Sequence, residues 1–305
     1  MTSGVRGIAA GNRTIEVSRP DKVLFPEDGI TKYDLVEYYA GIAETAIPLW
    51  RDRPLTMHRF PDGIEAAGFF QKDVPDYFPG WVERATLSKE GGTVDYVVPN
   101  NAATLAYIAE QGCITPHLGL SRVDRIDRPD RLVFDLDPSD DRIGPVQFAA
   151  ARTRELLDDL GIVSFVQTTG SRGLHVVVPL DRSETFDTVR VLAREFVVTL
   201  AARYPGRLTV EQRKYRRGNR VFLDYLRNAY GQTSVAPYGV RARPRAPVAT
   251  PLDWDEALAS DMSPRKYTVE NIVRRLGQKV DPWAQMGRHA IAPDTLRRGL
   301  RSLDG

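Results

Sequence analysis

The chain has 305 residues, 42% hydrophobic and 27% charged, a balance typical of a folded chain and too apolar for a disordered one. That length holds one large domain or two small ones. The single cysteine, Cys113, excludes an internal disulfide and any multi-cysteine metal centre, and only four histidines argue against a histidine-rich one. The plain role for Cys113 is that of a small buried hydrophobe. No run nears the roughly 18 apolar residues that span a membrane. Residues 1–10 lack the apolar stretch of a signal peptide, so neither membrane association nor export is expected. Net charge is +2, but it is unevenly spread: residues 211–220 read EQRKYRRGNR and 241–245 read RARPR, while acids gather at 135–141 and 253–256. A locally basic face on a nearly neutral chain suits phosphates.

Residues 1–14, rich in glycine and small side chains, predict a frayed tail. Thr31 and Asp34 form a capping-box pattern ahead of Leu35, Tyr38, Tyr39, Ile42 and Ile47, which fall at helical spacing until Pro48 ends or kinks the helix. Residues 50–100 read as short strands and turns, punctuated by Arg53-Pro54, Phe60-Pro61-Asp62-Gly63 and Phe78-Pro79-Gly80. A strand is predicted at 93–98 and a helix at 101–110. Further on come a buried strand at 131–136, an amphipathic helix at 146–160 and two strands, 163–167 and 174–178, around a glycine-containing turn. A long helix at 184–204, a strand at 220–225 and a short helix at 267–276 complete the pattern. Several strands lie too close in sequence for helical crossovers. The expected class is therefore α+β, with mixed and antiparallel sheets flanked by helices rather than a doubly wound parallel sheet. Residues 126–145 mark a junction between an N-terminal region and a core.

Three features carry chemistry. Asp135-Leu136-Asp137 follows the apolar Leu132-Val133-Phe134, and residues i and i+2 of a strand share a face. Two carboxylates about 4 Å apart repel by roughly 4 kcal/mol at an effective dielectric near 20, so bound cations, a shared proton or a nearby arginine must offset them. Oxygen-only ligands favour Mg²⁺ or Mn²⁺, while a solvated strand end turning at Pro138 is the plain alternative. Asp224 sits in a second apolar strand, VFLDY, where it needs a partner or a metal. If the two strands are neighbours, three carboxylates converge as two-metal phosphoryl transfer requires; pairing with Arg220 or another arginine is the other reading. The turn TTGSRGLH at 168–175 offers backbone N–H groups, Ser171, Arg172 and His175 to a triphosphate, or is an ordinary hairpin turn. It is not a Walker A loop, because it lacks GK[ST] and leads into no helix. The basic stretches are either phosphate contacts or solvated loops. Phe69-Phe70, in a polar turn-rich region, is either core or a base-stacking pair.

In this order, DLD at 135–137, TGSRGLH at 169–175, VFLDY at 221–225 and QTSVAPYGVRAR at 232–243 resemble the archaeo-eukaryotic primase superfamily, and within it the polymerase domain of bacterial ligase D. The resemblance runs from about residue 16 to 286. It implies a DNA-directed polymerase or primase that fills short gaps or extends ends in end joining or excision repair, with ribonucleotides preferred. Asp135, Asp137 and Asp224 would hold two Mn²⁺ or Mg²⁺ ions. Ser171, Arg172, His175, Arg220, Gln232, Arg241 and His117 would face the incoming NTP or dNTP, with arginine at 172 and 220 where the family has lysine. Lys22 and Lys32 match a pocket for the downstream 5′-phosphate, Phe69 and Phe70 match aromatics that stack at the break, and Arg217 matches a position tied to bringing two DNA ends together. The implied organisation is a tail at 1–14, a primase-polymerase domain at 15–290 and a tail at 291–305. That domain holds an end-binding region at about 15–125 and a catalytic core at about 126–290. The implied setting is the bacterial cytoplasm, on the nucleoid. No ligase or nuclease module follows, so a stand-alone enzyme or a domain of a longer chain is expected, working with a separately encoded ligase and a Ku-like end-binding protein. A primase that starts chains without a primer and a non-catalytic scaffold for DNA ends are the alternatives.

Overall fold

The computed structural model describes residues 4–89 and 91–303. Alternation of buried and exposed side chains begins earlier than expected. Ile8, Ala10, Ile15 and Val17 are buried between exposed neighbours, so β1 (Val5–Ala10) and β2 (Arg13–Ser18) form an antiparallel hairpin where a frayed tail was predicted. Residues 1–3 lie outside the described part.

The strands that follow are β3 (Val23–Phe25), β4 (Ile30–Thr31), β5 (Leu55–Arg59), β6 (Phe69–Gln71), β7 (Arg84–Lys89), β8 (Gly92–Val97) and β9 (Cys113–Gly119). Beyond them lie β10 (Arg131–Asp137), β11 (Phe165–Thr168), β12 (Leu174–Pro179), β13 (Leu208–Thr209), β14 (Val221–Asp224), β15 (Thr233–Val235) and β16 (Pro251–Leu252). The helices are α1 (Lys32–Gly41), α2 (Ala43–Trp50), α3 (Ala102–Glu110), α4 (Ile143–Asp159) and α5 (Phe186–Arg203). They are followed by α6 (Lys214–Arg217), α7 (Trp254–Leu258), α8 (Ile272–Gln278) and α9 (Pro293–Leu303). The break after α1 falls at Gly41–Ile42, a weak helix-forming point, and Pro48 is carried inside α2. No described helix is long and apolar enough to cross a membrane.

The chain divides into two compact units. The first comprises Met1–Gly119, Thr233–Ala249 and Tyr267–Lys279, and the second Leu120–Gln232, Thr250–Lys266 and Val280–Gly305. The sequence places its division near 125/126 and assigns about 126–290 to one core; instead, two later segments join the N-terminal unit. The reason is local. β15 pairs with β9, the Trp50 indole donates to the Pro237 carbonyl at 2.7 Å, and the Tyr38 hydroxyl donates to the Tyr238 carbonyl at 2.7 Å.

In the first unit, a six-stranded antiparallel sheet runs β15-β9-β5-β8-β7, with β6 added beside β5. In the second, six strands run β13-β14-β10-β12-β11-β16, and only β13 and β14 are parallel. Its core is apolar on adjacent strands and helices: Phe134 of β10 stacks on Phe196 of α5 with centroids 4.6 Å apart. Residues 291–305 read as a tail, yet most of them form α9, which buries Leu296 and Leu300 and packs on α5. The α+β class with mixed and antiparallel sheets is the one expected.

The capping box is present. The Thr31 hydroxyl accepts from the Asp34 N–H at 3.2 Å, and the Thr31 N–H donates back to the Asp34 carboxylate at 2.8 Å. Thr31→Ala is expected to lower stability by about 1 kcal/mol, read as a shifted urea midpoint with an unchanged slope.

Candidate active site and nucleic-acid-binding elements

β10 lies between β12 and β14, so its register decides what meets its carboxylates. Asp135 is directly opposite Asp224 on one side and His175 on the other, and His175 is opposite Gln167 on β11. One level of the sheet therefore carries Asp224, Asp135, His175 and Gln167 across four adjacent strands. Asp137, two residues along β10, shares the face of Asp135. His175 is 4% exposed. Its Nδ1 lies 3.2 Å from the Gln167 amide nitrogen and its Nε2 lies 3.5 Å from Asp135.

The turn between β11 and β12 depends on two glycines. Gly170 takes φ +64°, the left-handed region. Gly173 passes so close to β10 that an added Cβ would sit 2.3 Å from the Leu136 carbonyl oxygen. The Thr169 hydroxyl ties the turn, accepting from the Gly173 N–H at 3.2 Å and from the Ser171 N–H at 3.3 Å. Ser171 and Arg172 are half-buried at its tip, and the Arg172 guanidinium is 3.7 Å from Asp137 and 3.9 Å from Asp141.

The basic loop closes the same site. Arg217 is 6% exposed. Its guanidinium donates to Asp137 at 3.0 Å and to the Glu211 and Gln212 carbonyls, and it lies over the Phe222 ring. Arg220, one arginine the alternative reading offered to Asp224, straps the loop instead, donating to the carbonyls of Arg217 and Arg216. Its neighbours carry the exposed charge: Arg213, Lys214 and Arg216 face solvent beside Tyr215, which is 77% exposed. The cation beside Asp224 is Arg227, 3.7 Å from Asp224 and 3.5 Å from Asp135. Sequence reasoning missed it, although it stands three residues beyond Asp224. It missed Gln167 as well, which only the strand register reveals. Gln232 is exposed at the end of this segment.

Burial, opposed by the Leu226 N–H and reinforced by the charge of Asp135, raises the pKa of Asp224; Arg227 lowers it and Asp137 raises it. Among the described residues, no three His, Cys, Asp or Glu side chains form a ready-made metal cage, because each carboxylate is drawn onto a guanidinium or an imidazole. The donor set is nonetheless all oxygen and sits in strand register. A divalent ion would relieve the charge crowding that raises Asp224, so the residues present fit such an ion.

The remaining predicted residues lie in the first unit. Lys32 is 7% exposed, and its ammonium donates to Glu110 at 2.7 Å and to the Ser18 carbonyl and hydroxyl at 3.0 Å each. Lys22 is paired with the exposed Asp62. Both lysines line a cavity of about 170 Å³ together with Arg19, Arg59 and Glu110. Four cationic side chains against one carboxylate make it a place for an anion. Phe69 is 45% exposed and Phe70 62%, so neither is core. Phe70 lies 5.6 Å from His117, ring to ring. Arg241 is half-buried, and its charge acts on His58, a further residue the sequence reading passed over. Cys113 is fully buried, and burial pushes its thiol up to about 12, as suits a small core side chain.

Carboxylates on adjacent antiparallel strands, beside a glycine turn and an arginine-rich loop, give this α+β protein an acidic centre. The family described as "LigD, primase-polymerase domain" matches residues 31–283. The chain belongs to this family, as its motifs led us to expect. It is 33% identical over 307 residues to the multifunctional non-homologous end joining DNA repair protein LigD of Mycobacterium tuberculosis, covering 97% of this chain and 40% of that protein. It is 29% identical to the bifunctional non-homologous end joining protein LigD of Bacillus subtilis, covering 88% of this chain and 43% of that protein. The chain thus spans about two fifths of the length of these relatives. Among solved structures, the polymerase domain from Mycobacterium tuberculosis Ligase D in complex with DNA superposes with a TM-score of 0.84 at 31% identity, over 90% of this chain and 99% of that one.

A raised folded-state pKa makes the ionised Asp224 a burden on the fold. Its contribution to stability is fully present below the ordinary carboxylate range and is lost as pH rises through the folded value. Asp224→Asn is therefore expected to raise the melting temperature of the metal-free protein at pH 7, with the difference vanishing toward pH 4. Added Mn²⁺ should stabilise the parent protein more than the variant. Scanning calorimetry in chelator and in Mn²⁺ reads both.

Proposed function

We propose that the chain is a template-directed nucleotidyltransferase that fills short gaps or extends ends in DNA repair, using NTPs or dNTPs with ribonucleotides preferred. The observation that carries this reading is the register of β10 and β14, which puts Asp135 opposite Asp224 with Asp137 on the same face. Membership of the LigD primase-polymerase family supports it.

In this reading, Asp135, Asp137 and Asp224 hold two divalent ions, Mn²⁺ or Mg²⁺. When bound, the ions supply a lowered pKa at the primer 3′-hydroxyl and neutralise the departing pyrophosphate. The chain's own residues orient the reactants. The turn 169–173 presents the Ser171 hydroxyl and the Arg172 guanidinium beside Asp137, where guanidinium geometry suits phosphate oxygens. His175 stands next to Asp135, placed to donate a hydrogen bond to a phosphate oxygen. Arg227 is 44% exposed and makes only long contacts to Asp135 and Asp224, so it is the cation best able to turn from the carboxylates to an anionic substrate. Gln232, Arg220, Arg241 and His117 are assigned to the nucleotide as well. Arg217 is committed to Asp137 and two carbonyls. The exposed Arg213, Lys214 and Arg216 are the stronger candidates for a DNA backbone contact from this loop.

The cavity around Lys22 and Lys32 is assigned to the 5′-phosphate of the downstream strand, and Phe69 and Phe70 to the bases at the break. A separately encoded or fused ligase and a Ku-like protein are the proposed partners.

The test is primer extension across a one-to-three-nucleotide gap with Mn²⁺ or Mg²⁺ and either nucleotide class. Templated addition is expected, and Asp135→Ala/Asp137→Ala should lower it by at least about 100-fold. Gap binding without addition under any of these conditions would leave a scaffold for DNA ends. Dinucleotide synthesis on a bare single strand would make the chain a primase. In the same assay, Lys22→Ala is expected to weaken use of gaps with a 5′-phosphate while leaving 5′-hydroxyl gaps unchanged.

A further inference from the structure

β11 puts Gln167 directly opposite His175, as β10 puts Asp135 opposite it on the other side. Residues directly opposite in antiparallel strands share a face, so the His175 ring has a carboxylate on one side and an amide on the other. Gln167 is 2% exposed. Its other neighbour in the row is Pro251 of β16, which has no N–H, and its Oε1 meets no donor among the described residues. A buried amide with an unmet oxygen weakens a fold, and a methionine or leucine would fill the place without that cost. Packing therefore does not account for this side chain. What it does provide is an N–H group, its nitrogen 3.2 Å from Nδ1 of His175.

That contact decides where the imidazole carries its proton. A neutral imidazole has one N–H and one lone pair. Nε2 lies 3.5 Å from Asp135 Oδ1, which is an acceptor, and the phosphate oxygens assigned to this site are acceptors too. A lone pair at Nε2 would face the carboxylate and would leave Nδ1–H against the Gln167 N–H. With the proton on Nε2, both ends of the ring are matched: Gln167 donates to Nδ1, and Nε2–H points into the acidic centre. The two oxygens of Asp135 are then distinguished, Oδ1 toward His175 and Oδ2 toward Arg227. The 3.5 Å from Nε2 to Oδ1 exceeds an ordinary hydrogen bond of about 2.7–3.2 Å. Asp135 thus holds that N–H loosely, and a phosphate oxygen would compete for it.

We propose that Gln167 is a positioning residue for the nucleotide: by donating to Nδ1 it holds His175 as the Nε2–H tautomer, aimed into the acidic centre, where that N–H is given to a triphosphate oxygen. His175 touches the substrate, and Gln167 acts only through it. This rests on the reading of the chain as a nucleotidyltransferase.

The test joins a spectroscopic signature to the kinetics of the full chain. The sequence has four histidines, so the ring nitrogens of His175 are assigned as the set of resonances lost in His175→Ala. In alkaline buffer, where imidazoles are neutral, the metal-free parent is expected to show a protonated Nε2 and a bare, hydrogen-bonded Nδ1. Gln167→Met, close in size and without a donor, should move the Nδ1 resonance to that of an unbonded nitrogen. In gap filling, Gln167→Met is expected to raise the nucleotide KM about tenfold, with kcat changed less than about threefold and gap affinity unchanged. Added to His175→Ala, it should cost nothing further. A parent ring protonated at Nδ1, an Nδ1 resonance indifferent to Gln167→Met, or a further loss in the double variant would overturn the inference, while templated addition by the parent keeps the enzyme reading. A parent protein that neither binds nucleoside triphosphates nor adds them would overturn both. The parent's ring resonances decide the tautomer even if Gln167→Met does not fold, and Gln167→Asn, whose shorter amide falls short of Nδ1, then supplies the kinetic comparison.

Discussion

Like charges held side by side in strand register are the constraint around which the second unit is organised. Asp135 and Asp224 are antiparallel partners, an arrangement that destabilises a sheet when the charges match, and Asp137 adds a third carboxylate two residues on. Neither burial nor distance relieves them, so cations must. Arg217 takes Asp137 from the loop side, Arg172 approaches it from the turn, and Arg227 spans the other two. Features remote from the acids follow from this need. Gly173 lacks a Cβ so that the turn can lie against Leu136 and bring Arg172 within reach. Arg220 straps the loop that holds Arg217 in place. The same surplus of negative charge that strains the fold is what a divalent ion would relieve.

The first unit treats charge in the opposite manner. Its anion cavity is lined by lysines and arginines, yet Lys32 has already spent its three N–H groups on Ser18 and Glu110. A phosphate entering there must compete with a buried carboxylate or share the ammonium with it. Such a pair costs several kcal/mol when only one partner is removed, so Glu110 holds the lysine in position and would compete with an anion for it. Lys22, paired with an exposed aspartate, is the more readily recruited of the two.

Much of this was legible in the sequence. The capping box at Thr31, the strand carrying Asp135 and Asp137, and the strand ending at Asp224 were read from apolar runs and turn residues, and their chemistry from carboxylate spacing. What one chain of letters could not give was register. Nothing local says that Asp135 faces Asp224 and His175 at the same level, or that Gln167 completes the row. Nor does it assign Asp224 its cation: charge alone left Arg220 or another arginine open, and the strand end brings in Arg227. The paired phenylalanines read more readily as core, because burial depends on what the rest of the fold leaves uncovered. The N-terminal hairpin was missed because glycine and small residues masked an alternating pattern only four apolar side chains long. The second half was assigned to a single core because β15 belongs to a sheet whose other strands lie more than a hundred residues earlier.

That last pairing governs how the protein is made. The chain passes from one unit to the other five times, and β15 adds to β9 only after the whole intervening stretch has been synthesised. At roughly 5–20 residues per second, a ribosome builds for many seconds with the sheet of the first unit exposing an unfinished edge. The hydroxyl and indole donors of Tyr38 and Trp50 meanwhile await carbonyls at residues 237 and 238. Neither unit can be completed as a nascent domain before the other is largely synthesised. Vectorial folding, one domain after another from the N-terminus, is therefore closed to this chain, and chaperone demand should peak while the second unit is still emerging.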